Sequence, residues 1–161
     1  DSVKMNSTYP DANFTMRVSY GNVKSYAPKD AVKYDFACTI SGVAAKYVKG
    51  DYEFDLPAKF LDLYKAKDFG EYADKKLNDV VVSFITTNDI TGGNSGSPVI
   101  DAKGNLIGLA FDGNYEALSH KLAFDKDLNR TICVDVRYVL WCIDKLGGAK
   151  HIVDELTLVR N

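Results

Sequence analysis

Apolar and polar positions alternate with period two from Phe14 through Met16 to Val18, which predicts a strand after a polar entry loop over residues 1–12. A turn at Gly21-Asn22 follows, an extended run resumes through Val23 and Tyr26, Pro28-Lys29-Asp30 interrupts it, and a second run extends from Val32 through Phe36 to Ile40. Two to three antiparallel strands are expected here. From Pro57 the spacing becomes helical: Phe60, Leu61 and Tyr64 share a face, Pro57 suits a first turn, and Gly70 follows the stop, so a short surface helix is predicted. After the polar stretch Glu71 to Asn78, the dense run Val80-Val81-Val82-Ser83-Phe84-Ile85 reads as a buried strand. Val99-Ile100 and Leu106 to Phe111, joined through Asp101-Ala102-Lys103-Gly104-Asn105, form a predicted hairpin. The segment Asp112 to Asn129 carries no clear period. Ile132-Cys133-Val134 is a last internal strand, and Asp135 is placed to cap a helix whose Val136, Val139, Leu140 and Ile143 line one side until Gly147-Gly148 stop it. A further helix near Lys150 to Leu156 and a tail strand complete a mostly β reading with short helices.

With 161 residues the chain fits a single domain at about 150 residues per domain, and no composition shift or repeat divides it. Twenty basic against 22 acidic residues leave a net charge of −2, without the basic excess that nucleic-acid and anionic-membrane binders carry, so neither partner is expected. The longest apolar run near the end, Val139 to Ile143, is far short of a membrane span. The chain begins at Asp1 without an initiator Met, so a processed or truncated product is expected. Cys38, Cys133 and Cys142 form no Cys-x-x-Cys and lie among apolar residues, which predicts buried free thiols.

The unusual chemistry sits between the buried strand and the hairpin, in Thr86-Thr87-Asn88-Asp89-Ile90-Thr91-Gly92-Gly93-Asn94-Ser95-Gly96-Ser97-Pro98. A serine hydroxyl is a weak nucleophile, and a catalytic one needs a tight turn that projects it, small neighbours and backbone N–H groups aimed at the developing oxyanion. Gly93-Asn94-Ser95-Gly96 meets those needs, with Gly93 free to take positive φ and Gly96 clearing the approach beside Ser95. The α/β-hydrolase elbow, G-x-S-x-G opening a helix, does not match: Ser97 occupies the second glycine position and a strand follows. From the residues alone, a non-catalytic β-barrel binding module with a Gly-Ser turn is the competing reading.

A Gly-Ser loop between strands, then a hairpin and a C-terminal helix, is the order of the second barrel of chymotrypsin-like peptidases, and Gly93-Asn94-Ser95-Gly96-Ser97-Pro98 resembles their G-D-S-G-G-P signature. The strings Tyr9-Pro10-Asp11-Ala12-Asn13-Phe14-Thr15, Asn88 to Val99, Gly108-Leu109-Ala110-Phe111-Asp112-Gly113-Asn114 and Val134-Asp135-Val136-Arg137-Tyr138-Val139-Leu140 resemble the bacterial serine dipeptidyl-peptidases of the dipeptidyl-peptidase 7 and 11 type. The resemblance spans nearly the whole chain. It implies a double β-barrel with an inserted helical cap, of which this chain, residues 1–161, matches the C-terminal barrel. The implied activity is release of dipeptides from the N-terminus of oligopeptides, in the periplasm, secreted or at the cell surface, with no cofactor and no metal. The first barrel and the cap are the implied partners within one protein, and a homodimer of the parent is left open.

Carried over by position, the resemblance makes Ser95 the nucleophile and gives Gly93 and Ser95 the oxyanion N–H groups. It assigns Asp112 to the substrate's N-terminal amine and sets Phe111 and Gly113 at the substrate, where glycine at 113 accompanies hydrophobic specificity and arginine acidic specificity. Asp89, six residues before Ser95, stands where a trypsin-like enzyme keeps its pocket aspartate, but the family carries it whatever the specificity. The family's histidine base and aspartate belong to the first barrel, and neither His120 nor His151 matches them, so the chain by itself is expected to be inactive on peptides.

Overall fold

The structure, a computed structural model, describes residues 16–119 and 125–160. The entry loop and Phe14, together with His120 and Lys121, lie outside them. The strands are β1 (Tyr26–Lys29), β2 (Val32–Tyr34), β3 (Ala37–Thr39), β4 (Val81–Thr86), β5 (Pro98–Ile100), β6 (Leu106–Gly113) and β7 (Thr131–Asp135). β1 and β2 form a separate hairpin around Asp30-Ala31, with Ala31 at φ 60°. The others make a five-stranded sheet in the order β3-β4-β7-β6-β5, antiparallel throughout. Among the described residues this sheet is open, with β3 and β5 at its edges. The mostly β class, the hairpin and the surface helix all correspond to the hydrophobic pattern.

Helices cover one end of the sheet: α1 (Ile40–Ala45), α2 (Ala58–Lys65), α3 (Val136–Trp141) and α4 (Lys150–Asp154), with a π turn over Cys142–Leu146 continuing α3. The core lies between these helices and the start of β4, where Ile40, Phe60, Phe69, Tyr72, Val80, Leu140, Trp141 and Val153 cluster. Trp141 is fully buried, meets Phe60 edge-on at 5.5 Å and donates its indole N–H to the Asp68 carbonyl at 3.0 Å, which satisfies its one polar atom. Asp135 caps α3 as expected, accepting the Arg137 N–H at 2.8 Å. The Arg137 guanidinium also holds both Asp135 and Asp74 and keeps the Asp74 carboxyl below the usual carboxylate range.

Several expectations are corrected. β1 runs through Pro28, and the chain reverses at Asp30-Ala31 instead. Ile40 ends no strand but opens α1, whose N-terminus is capped from a distance: the Asp79 carboxylate accepts the Ser41 N–H at 3.2 Å. Of the three thiols only Cys133 is buried; Cys142 is half-buried and Cys38 exposed on edge strand β3, though all three are free. No strand follows α4 among the described residues. Met16 and Val18 belong to no strand and are exposed; their segment meets β4 only further on, where Val23 bridges Thr86 and the Lys24 N–H donates to the Ile85 carbonyl at 3.2 Å. It is anchored by reciprocal bonds, Asn22 N–H to Thr87 Oγ1 and Thr87 N–H to the Asn22 carbonyl, both at 3.0 Å. At Gly21 a Cβ would stand 2.6 Å from the Asn88 nitrogen, so glycine is required for this close approach to the loop that follows β4.

Candidate active site

The segment between β4 and β5 is built from two consecutive turns joined at Asn94. In the first, the Asn94 N–H donates to the Thr91 carbonyl at 3.2 Å, and the Asn94 side-chain oxygen accepts the Thr91 N–H at 2.9 Å and the Thr91 hydroxyl at 3.3 Å. In the second, the Ser97 N–H donates to the Asn94 carbonyl at 3.0 Å. Each turn needs one left-handed residue, and each has a glycine there: Gly93 at φ 92° and Gly96 at φ 82°. The loop is then tied to β6, with the Gly96 N–H donating to the Ala110 carbonyl at 2.7 Å and the Ala110 N–H to the Ser97 carbonyl at 2.8 Å.

Ser95 stands exposed between these anchors, as the sequence predicts for a projecting serine, and donates its hydroxyl to the Phe111 carbonyl at 3.1 Å. The N–H groups of Gly93 and Ser95 have no acceptor among the described residues. Two unpartnered donors flanking one exposed hydroxyl can stabilise an oxyanion formed on a carbon that the hydroxyl attacks.

Phe111, Asp112 and Gly113 come to the same place by way of a β-bulge. Ala110 pairs with Cys133 and Asp112 with Ile132, so Phe111 is the extra residue, its carbonyl turned to Ser95 and its ring exposed. Asp112 accepts the Gly113 N–H at 2.8 Å through one carboxylate oxygen, and the other makes no hydrogen bond among the described residues. These residues line a cavity of about 380 Å³ with Ser95, Asp89, Ile90, Ala117 and Leu118. A Cβ built on Gly113 would meet the Ala117 methyl at 3.2 Å, a contact that a small movement of the 3₁₀ turn Tyr115–Ser119 relieves.

The cavity wall contains residues that sequence reasoning missed. Arg130 is almost wholly buried, and its guanidinium donates to the carbonyls of Lys24, Ser25, Lys126 and Asn129 at 2.7–3.2 Å while lying 5.4 Å from the Tyr26 ring centre. Asn114 and Arg130 exchange bonds, Asn114 N–H to the Arg130 carbonyl at 2.9 Å and Arg130 N–H to the Asn114 side-chain oxygen at 2.8 Å. The Glu116 carboxylate takes the Asn114 amide and the Tyr26 hydroxyl, both at 2.8 Å, and burial with this contact raises the Tyr26 pKa. The three-residue spacing of Thr91 and Asn94 was a readable sign of a side-chain-closed turn. For Arg130 no local sign exists, since two of the four carbonyls it holds, those of Lys24 and Ser25, are more than 100 positions away. His151 is exposed on α4 in the helical layer and lines no part of the cavity. Among the described residues no His, Cys, Asp and Glu side chains cluster as a metal site would require.

Comparison with known proteins gives the same region a family. The Peptidase S46 family model matches residues 2–158. Over 94% of its length the chain is 58% identical to a dipeptidyl-peptidase 7 of Capnocytophaga gingivalis and, again over 94%, 50% identical to an Asp/Glu-specific dipeptidyl-peptidase of Flavobacterium psychrophilum. The crystal structure of Porphyromonas endodontalis DPP11 in complex with substrate superposes with a TM-score of 0.86 at 39% identity, covering 94% of this chain and 22% of that one. The chain thus spans about a fifth of the length of these relatives, 22% and 21% for the two enzymes. On a match that runs almost end to end, the chain belongs to the peptidase S46 family.

Proposed function

We propose that the chain is the nucleophile-bearing part of a serine dipeptidyl-peptidase, in which Ser95 attacks the peptide carbonyl and the N–H groups of Gly93 and Ser95 hold the oxyanion. The observation that carries this reading is the exposed Ser95 hydroxyl flanked by two N–H groups without acceptors among the described residues. The reaction needs a base to take the hydroxyl proton, and the parent protein supplies it from outside residues 16–119 and 125–160. Beyond the Phe111 bulge, β6 offers backbone groups beside Ser95, which suits a substrate laid down as an added strand. The Asp112 oxygen that makes no hydrogen bond among the described residues is a charge-assisted acceptor for a terminal ammonium. A carboxylate at a fixed distance from the nucleophile counts residues from the N-terminus, which turns an endopeptidase geometry into dipeptide release. Mass spectrometry of peptide digests by the full-length protein is expected to detect dipeptides from free N-termini and no cleavage of the N-acetylated peptides. Internal cleavage of the acetylated peptides overturns this reading.

The same reading extends to a preference for hydrophobic residues before the scissile bond. Ile90, Ala117, Leu118 and the bare Gly113 backbone supply apolar surface, and the Asp112 carboxylate disfavours an acidic side chain. The Arg130 cation does not offset it, since it is buried and committed to four carbonyls. Gly113→Arg is expected to lower cleavage after hydrophobic residues and raise it after Asp or Glu, because a guanidinium there fills apolar space and pairs with a substrate carboxylate. One such pair in a partly dry pocket is worth about 2 kcal/mol, or roughly thirtyfold in the kcat/KM ratio on matched substrates. An unchanged ratio in a folded variant removes Gly113 from the specificity pocket.

A further inference from the structure

The loop before Ser95 is closed by a side chain rather than by a regular element, and that side chain is the residue adjoining both proposed oxyanion donors. Asn94 gives its N–H to the Thr91 carbonyl and takes the Thr91 N–H and hydroxyl on its side-chain oxygen, enclosing Gly92 and Gly93 in a ring. Glycine at φ 92° is conformationally permissive, so nothing in Gly93 itself fixes the direction of its N–H. The ring supplies that restraint. Its far side is held in turn by Arg17, which donates to the Thr91 hydroxyl at 3.3 Å, and its near side by the Ser97 N–H on the Asn94 carbonyl.

We infer that Asn94 is a positioning residue, whose side-chain acceptor on the Thr91 N–H sets the Gly93 and Ser95 N–H groups for the oxyanion before substrate arrives. The inference rests on the reading of Ser95 as nucleophile. An amide here does what a carboxylate would do for the ring while adding no negative charge beside a negatively charged transition state. Because oxyanion donors act on the transition state and hardly on the bound substrate, the residue governs kcat and leaves KM nearly alone.

The test is steady-state kinetics of the full-length protein on a dipeptidyl fluorogenic substrate, with dipeptide product affinity and peptidyl boronate affinity measured in parallel. Asn94→Ala is expected to lower kcat by roughly 100-fold and boronate affinity by a similar factor, with KM and product affinity within about threefold. Asn94→Asp restores the acceptor and is expected to recover part of the loss, short of the parent because of its charge. Should Asn94→Ala fail to fold, Asn94→Gln, which keeps the amide and moves it by one methylene, is expected to lose kcat and boronate affinity in the same way. A kcat near the parent value in either folded variant, or a loss confined to KM, overturns the inference when Ser95→Ala is inactive. Turnover by Ser95→Ala overturns the underlying reading instead.

Discussion

Ser95→Ala in the full-length protein is expected to abolish dipeptide release, with kcat falling roughly 10⁴-fold or more, the scale on which serine peptidases lose activity with their nucleophile. The same change is expected to leave stability within about 1 kcal/mol, because among the described residues the exposed hydroxyl makes one hydrogen bond, to the Phe111 carbonyl at 3.1 Å. That bond also describes the resting state. The hydroxyl proton points to a carbonyl, which cannot accept it, so it must swing to a base before attack; giving up a bond worth about 1 kcal/mol is small against the barrier of peptide hydrolysis. Circular dichroism and the urea unfolding midpoint separate the two effects. Near-parent turnover in the folded variant places the nucleophile elsewhere, and unfolding overturns the stability expectation.

Arg130→Ala is expected to have the largest effect on stability, about 3–5 kcal/mol, read as a lowered urea midpoint. The guanidinium joins Lys24 and Ser25, just before β1, to Lys126 and Asn129, just before β7, across the wall of the cavity. Removing it leaves four carbonyls without their donor at a site that is 2% exposed, and each unsatisfied buried acceptor costs about 1–3 kcal/mol unless water follows. Arg130→Met keeps most of the bulk without the donors. If it is as stable as the parent, packing and not hydrogen bonding holds this wall. Substrate KM is expected to rise in both variants, since the guanidinium anchors the Arg130 main chain, whose N–H and carbonyl hold Asn114 ahead of the 3₁₀ turn carrying Ala117.

The parts of this fold legible in the sequence are those whose causes are local. The dense apolar run of β4, the β5–β6 hairpin with its Asp101 turn, and the α3 start at Asp135 each carry their signal within a few residues. The Ser95 loop was legible for the same reason, because positive φ at Gly93 and Gly96 is a property of the residues themselves. What was missed depends on partners distant in the chain. α1 has no cap of its own and borrows Asp79, so Ile40 reads as the end of a strand. The alternating residues Met16 and Val18 have a strand pattern but no strand to pair with. Hydrophobic neighbours suggested burial for all three thiols, yet an edge strand exposes Cys38, while Cys133 in the sheet centre has its thiol pushed up to about 11 by desolvation.

The single extra residue at Phe111 acts as a change of phase in β6. Ala110 faces inward opposite Cys133, and strict alternation would turn Asp112 to that same side, setting a carboxylate beneath the sheet against a buried thiol. With the bulge, parity is reversed beyond it: Asp112 pairs with Ile132 and faces out, and Gly113 pairs with the buried Thr131 and faces in. One inserted position therefore sets the charged side chain on the exposed side of the strand, where it borders the cavity, and turns a bare backbone position inward. Composition at 112 and 113 has its effect only through that shift, and pairing the same residues without a bulge, Phe111 opposite Ile132, would exchange the surroundings of the two positions without altering either side chain.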